Sequence, residues 1–306
     1  MSEKSMEEIE VVECNRANLK DYVKLIRVAH WSKNFLIFLP ILASHRILEI
    51  QLFFQAILAF LAFSFAASAV YILNDITDLE NDRSHSTKKN RPLASGRIKI
   101  SNGIITLCLF LLFSVFISTY IGVHFLFIVI FYYILNLAYS FHFKSILLWD
   151  SFCLMTFYTL RVFAGGIATG IAVSNWLLIF SVFFFFGLSL AKRYIEISKI
   201  NENTDFIPGR AYQIIDKIPV LVIGITSSIS SVVTLSLYLN SENVSVIYNH
   251  SERLWFIMPL LLFWFSRFWL LSVRGLVNED PVIFSLKDKF SWFCFIIVFS
   301  SAIYSL

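Results

Sequence analysis

The chain has 306 residues, 58% of them hydrophobic and 15% charged, with 33 Phe and a net charge of +4. A water-soluble domain carries about 25% charged residues, so this composition excludes an ordinary soluble fold; the charge excess is small, its placement matters more than its size, and no nucleic-acid partner is expected. Apolar stretches of 18 or more residues recur along nearly the whole chain, which is the pattern of a polytopic helical membrane protein.

In chain order, residues 1–20 form a polar, acidic tail (Glu3, Glu7, Glu8, Glu10, Glu13), expected to lie in the cytoplasm and to carry no secretory signal. Residues 21–306 read as a single transmembrane domain. Nine spans are predicted, at about 22–44, 51–74, 102–122, 124–142, 147–169, 174–197, 212–239, 253–273 and 288–306, each long enough to cross a hydrocarbon core. The connections alternate in charge. One set, with the adjoining helix ends, holds Lys20, Lys24, Arg27, Lys33, Arg83, Lys88, Lys89, Arg91, Arg97, Lys99, Lys144, Lys192, Arg193, Lys199, Arg210, Arg274, Lys287 and Lys289; the other holds little beyond Arg46 and Arg253. The positive-inside rule then puts the N-terminus in the cytoplasm and the C-terminus outside, as nine spans require. The inner segments 75–101, 198–211 and 274–287 are long, so function is expected on the cytoplasmic side of an inner membrane. Cys14, Cys108, Cys153 and Cys294 are scattered without metal-ligand spacing. Asn243-Val244-Ser245 matches a glycosylation sequon and is taken as fortuitous.

The strongest local signal is YILNDITDLENDRSHSTKKNRPLASG, from Tyr71 to Gly96. If the second helix continues through it at about 100° per residue, with Asn74 at zero, Asp75 lies near 100°, Asp78 near 40° and Asp82 near 80°, while Glu80 points away. Three carboxylates and an amide on one face repel one another unless a cation neutralises them. An all-oxygen set suits Mg²⁺, which is usually shared between protein carboxylates and substrate phosphates. Arg83, Lys88, Lys89 and Arg91 follow at once and suit further phosphate oxygens. Elsewhere, Arg161 lies about three turns into the fifth span, where a charge must face a cavity or a partner. Asp150 lies near the inner end of the same helix. His30 and His85 are weaker acid–base candidates.

The segment Asn74-Asp75-xx-Asp78-xxx-Asp82 resembles the first aspartate-rich motif of the UbiA prenyltransferase superfamily, which binds Mg²⁺ and a donor diphosphate. Within that superfamily the chain most resembles the decaprenyl-phosphate phosphoribosyltransferase branch. The residues that carry this are Arg27 to Asn34 (RVAHWSKN), His85-xx-Lys88-xx-Arg91-Pro92-xx-Ser95-Gly96, and Tyr139-Ser140 with Lys144. They also include Asp150, Arg161 with Gly165-Gly166, Lys192-Arg193-Tyr194-xx-Glu196, and Glu279-Asp280-Pro281-Val282 with Asp288. Prenyl-diphosphate-using members carry a second Asp-rich motif at the inner end of span six. Here that place holds Lys192, Arg193 and Glu196, which suits a donor with an additional phosphate, 5-phosphoribosyl diphosphate (PRPP).

The resemblance implies an all-α UbiA-like bundle and a Mg²⁺-dependent transferase acting on PRPP and a polyprenyl phosphate in the bilayer, with homo-oligomers open. It implies Asn74, Asp75, Asp78 and Asp82 at the metal, and Asp75, Asp78, Asp82 and Lys192 as catalytic. Substrates would be held by Arg27, Lys33, Asn34, Asn74, Lys88, Arg91, Tyr139, Lys144, Asp150, Arg161, Arg193, Tyr194 and Glu196. A prenyltransferase moving an isoprenoid chain onto an aromatic acceptor stays open as the alternative. A transporter fits less well, because transporter sites lie near the midplane in broken helices, whereas the polar residues here gather at one face.

Overall fold

The computed structural model describes residues 18–84, 87–200, 207, 209–241, 244, 248, 250–278 and 280–305. His85, Glu279 and most of the sequon at 243–245 lie outside them. Among the described residues the fold is helical throughout, without a β-strand.

The chain opens with α1 (Leu19–Leu25), a 3₁₀ helix over Val28–Phe38 and α2 (Leu39–Ala43). The long helices are α3 (Ile50–Thr77), α5 (Ile100–Ile121), α6 (Val123–Phe141), α7 (Trp149–Thr169), α8 (Asn175–Ile197), α9 (Lys217–Leu239) and α10 (Ile257–Val273). The short helix α4 (Leu79–Ser84) follows α3, and α11 (Pro281–Lys287) precedes the last helix, α12 (Lys289–Tyr304).

Among the described residues, seven helices are long and apolar enough to cross a membrane, or eight if the bent first pair is one span. α12, with 16 residues, falls short of the roughly 17–25 that a span needs. Helices therefore occupy all nine predicted positions, but seven or eight meet the length of a crossing.

The first span differs most from its expectation. The sequence predicts one helix over 22–44, and the chain instead bends by 51° between Leu25 and Val28. The bend is at Arg27, whose φ of 51° is left-handed, a conformation that costs a residue with a Cβ. An 11-residue 3₁₀ run follows, longer than such helices usually extend. Side-chain bonds to α3 hold it there: Trp31 Nε1 donates to Ser68 Oγ at 3.0 Å, and Asn34 Nδ2 to Ser64 Oγ at 2.9 Å. On the other side it lies against α7 at Gly165, where a Cβ would stand 2.0 Å from the Ile37 carbonyl oxygen. Only glycine permits that approach.

α7 is the spine of the bundle. One of its faces (Met155, Tyr158, Val162) joins a core with α8, α9 and α10. The other (Cys153, Phe157, Ala164, Ala168) joins a core with α3, α6 and the 3₁₀ segment. The central parts of α3 and α7 are 61% buried, against 11% for α5, which puts α5 at the lipid-facing rim. α3 buries Ala56, Ala59, Ala62, Ala66 and Ala67, small residues that let neighbouring helices come close in the absence of a hydrophobic driving force.

Candidate active site at one end of the bundle

The C-terminal ends of α3 and α8 and the N-terminal end of α7 lie at the same end of the bundle, and the charged residues gather there in three clusters.

The first cluster is the aspartate motif. The helix breaks at Asp78, but the i−4 rhythm continues across it: Asp78 N–H donates to the Asn74 carbonyl at 2.9 Å, and Asp82 N–H to the Asp78 carbonyl at 2.8 Å. Asp75 and Asp82, 3% and 2% exposed, therefore face the same side. Arg91 Nη1 reaches Asp82 Oδ2 at 2.5 Å and Asp75 Oδ1 at 3.1 Å, and Arg27 Nη2 meets Asp75 Oδ1 at 2.5 Å. Arg27 also lies over the Tyr71 ring, 4.5 Å from its centroid. Asn74 and Asp78 are half-buried beside this cluster. Among the described residues Asp78 makes no ion pair, and no three His, Cys, Asp or Glu side chains stand together as a ready metal cage. The donor set is nonetheless all oxygen, as a hard cation needs.

The second cluster joins three distant segments. Lys33 Nζ, from the 3₁₀ helix, and Lys192 Nζ, from α8, each lie 3.3 Å from Asp280 Oδ2. Asp280 Oδ1 accepts from Val282 N–H at 3.1 Å and so caps α11, whose first residue is Pro281. Burial would raise the Asp280 carboxyl, but Lys33 and Lys192 hold it down to about 2. Lys33 stands 5.5 Å from the Tyr158 ring centroid. These residues line a small pocket with Leu154, Leu188, Ser189, Pro281 and Val282.

The third cluster shares no residue with the pocket. Arg193 and Asp150 are both fully enclosed and pair at 2.8 Å; Arg193 also pairs with Glu196. Arg210 reaches Asp150 at 3.0 Å and Glu196 at 3.3 Å. Tyr212 donates to Asp150 Oδ1 at 2.8 Å; burial first, and then the Asp150 charge, push its hydroxyl well above the ordinary value. Tyr139 accepts from Arg210 at 3.4 Å. The cluster ties the connection before α9 to α7 and α8.

The sequence-predicted residues thus divide. Arg27, Asn74, Asp75, Asp78, Asp82 and Arg91 come together, and so do Lys33 and Lys192. Asp150, Arg193, Glu196 and Tyr139 form the separate ion cluster. Arg161 sits deeper and is 6% exposed; its Nε donates to Asn34 Oδ1 at 2.6 Å, its Nη1 to the Phe157 carbonyl at 2.5 Å and its Nη2 to Tyr132 Oη at 3.3 Å. Tyr194 is buried against Trp269. Lys88 is exposed on a 3₁₀ turn and Lys144 is half-buried beside α6. Asp280, Tyr71, Tyr158, Arg210 and Tyr212 escaped the sequence reading as site residues. Of these, Asp280-Pro281 carried a signal, since Asp before Pro marks a helix start.

The model of the UbiA prenyltransferase family matches residues 35–278. A Sinorhizobium fredii protein named "Uncharacterized protein y4nM" is 37% identical over 278 residues, which cover 90% of this chain and 54% of that one; the chain spans about half of that relative's length. The nodulation protein NoeC of Azorhizobium caulinodans is 27% identical, with 89% of each chain covered. The decaprenyl-phosphate phosphoribosyltransferase of Corynebacterium glutamicum is 34% identical over 193 residues, 59% of this chain and 56% of that one. Among solved structures, a UbiA homolog from Archaeoglobus fulgidus bound to GPP and Mg²⁺ superposes with a TM-score of 0.66 at 17% identity, covering 92% of this chain and 99% of that one. The helical architecture is therefore the UbiA fold, and the chain belongs to the UbiA prenyltransferase family.

Proposed function

We propose that the protein moves the 5-phosphoribosyl group of PRPP onto a polyprenyl, decaprenyl-type phosphate and releases diphosphate, on the cytoplasmic side of the inner membrane. The observation that carries this reading is at the inner end of α8. Where the prenyl-diphosphate-using members have a second carboxylate cluster, this chain turns Lys192 into the site and closes Arg193 and Glu196 into an ion cluster. That arrangement suits phosphate rather than a second metal. The name of the Corynebacterium glutamicum relative, a decaprenyl-phosphate phosphoribosyltransferase, supports the same group transferred and the same class of acceptor.

Asn74, Asp75, Asp78 and Asp82 would hold Mg²⁺, which supplies Lewis-acid stabilisation of the departing diphosphate. Arg91 and Arg27 now occupy the two buried carboxylates; with a diphosphate present, their forks would turn to its oxygens, which they match in geometry. The acceptor's phosphate oxygen forms the bond to ribose C1, and the bond from C1 to the diphosphate breaks, the diphosphate taking the electron pair. The attacking phosphate is already an anion, so the chain need not supply a base. Its contribution is positioning and a preorganised cationic field.

Donor choice tests this reading. Purified protein in nanodiscs should release diphosphate from PRPP only when decaprenyl phosphate and Mg²⁺ are both present, and excess chelator should stop it. Release from a prenyl diphosphate with an aromatic acceptor, and none from PRPP, would replace this reading with the isoprenoid-transfer alternative.

A further inference from the structure

The Lys33–Lys192–Asp280 cluster makes chemical sense only in part as a structural ion pair. Two ammonium groups share one carboxylate oxygen, so they stand within about 7 Å of each other and repel, leaving the cluster with one uncompensated positive charge. A dianion would balance them better than a carboxylate does. The three groups come from three separate segments, each tethered to the bundle. Lys33 and Lys192 stand on segments packed into the bundle, the first held by Trp31–Ser68 and Asn34–Ser64 bonds and the second by the buried face of α8. Asp280 stands on the connection between α10 and α11, tied from the side by Lys199 Nζ to the Asn278 carbonyl at 2.8 Å. Finally, the pocket walls are mixed: beside the two lysines are Leu154, Leu188 and Val282. Such a lining fits an anion attached to a hydrocarbon chain better than a free sugar phosphate.

We propose that Lys33, Lys192 and Asp280 form the head-group subsite for a phosphate monoester on a hydrocarbon chain. The Asp280 carboxylate holds the place of that phosphate and is displaced when it arrives. The proposal rests on the transferase reading only for the acceptor's role in the reaction; binding of the head-group does not require PRPP.

The test is binding of farnesyl phosphate to the full-length protein in nanodiscs without PRPP, with farnesol and ribose 5-phosphate as controls. Farnesyl phosphate should bind, and farnesol and ribose 5-phosphate should bind at least about tenfold more weakly. Lys33→Gln and Lys192→Gln should each weaken binding by about tenfold or more. Asp280→Asn should tighten it several-fold, because it removes a competitor for the same two cations. Thermal unfolding of each variant separates misfolding from loss of the site, and Lys192→Arg should retain binding if charge at that place is what matters. Unchanged affinity in a folded Lys192→Gln, weaker binding in a folded Asp280→Asn, or ribose 5-phosphate outcompeting farnesyl phosphate would each overturn the proposal. Lysine-dependent farnesyl phosphate binding without any transfer from PRPP would leave this subsite standing and remove the donor assignment instead.

Discussion

Asp75 and Asp78 are three residues apart in one motif, yet their substitutions should behave differently. Asp75 is buried between Arg27 and Arg91, so Asp75→Asn removes both a proposed metal ligand and the counter-ion of two guanidiniums, and stability should fall along with activity. Asp78 is half-buried and has no ion-pair partner among the described residues. Asp78→Asn should therefore lower turnover by about a hundredfold or more while the unfolding temperature stays unchanged, a contrast measurable by kinetics and thermal unfolding on the same preparations. Arg193 gives the opposite contrast. Its charge is enclosed with Asp150, so Arg193→Gln should destabilise the fold by up to about 3–5 kcal/mol, less whatever Arg210 and Tyr212 still supply to the Asp150 carboxylate. The Asp150→Asn/Arg193→Gln double variant should recover much of that. Turnover per folded molecule should change little in either, as unfolding curves and active-fraction kinetics will show. Asp280 adds a pH expectation. Its carboxyl, ordinarily near 3.8, is held down to about 2 in the fold. A depressed carboxylate stabilises fully above its unfolded value, and the contribution is lost as pH falls through the folded one. Acceptor-binding profiles of wild type and Asp280→Asn should therefore run parallel between about pH 5 and 9.

At the level of elements, the 3₁₀ segment Val28–Phe38 organises the site. It carries Lys33 into the second cluster, and Arg27, its N-terminal neighbour, into the first. Its seat on α7 depends on Gly165. Gly165→Ala should destabilise the protein by about 1–3 kcal/mol or more through overpacking against the Ile37 backbone, and should also weaken farnesyl phosphate binding by shifting Lys33. Parallel thermal unfolding and binding titrations would register both effects. The shared face of Asp75 and Asp82 was legible in the sequence because helical periodicity is a local property, and the backbone hydrogen bonds keep that rhythm across Asp78. The division of Lys192 from Arg193 was not. One residue of helix separates them by about 100°, and which of the two faces the pocket is decided by where Asp150 and Asp280 arrive from distant parts of the chain. The break at Arg27 was hidden for the same reason: nothing local forces a left-handed arginine there.

On the scale of the whole molecule, hydropathy located nearly every long helix, since lipid imposes the same length on each. It could not rank them, and the short α12 and the bent first pair show how little length alone decides about crossing. Orientation can be measured directly. In cells, a cysteine replacing Lys89 should be protected from a membrane-impermeant thiol reagent, and one replacing Arg46 should be labelled; the reverse pattern would put the charged face outside. The central claim is the transfer itself. Membranes containing the protein, given ribose-labelled PRPP, decaprenyl phosphate and Mg²⁺, should move label into the organic phase, and membranes with Asp78→Asn should not. Label that stays in the aqueous phase with wild-type protein, or that reaches the lipid equally well with Asp78→Asn, would contradict the account.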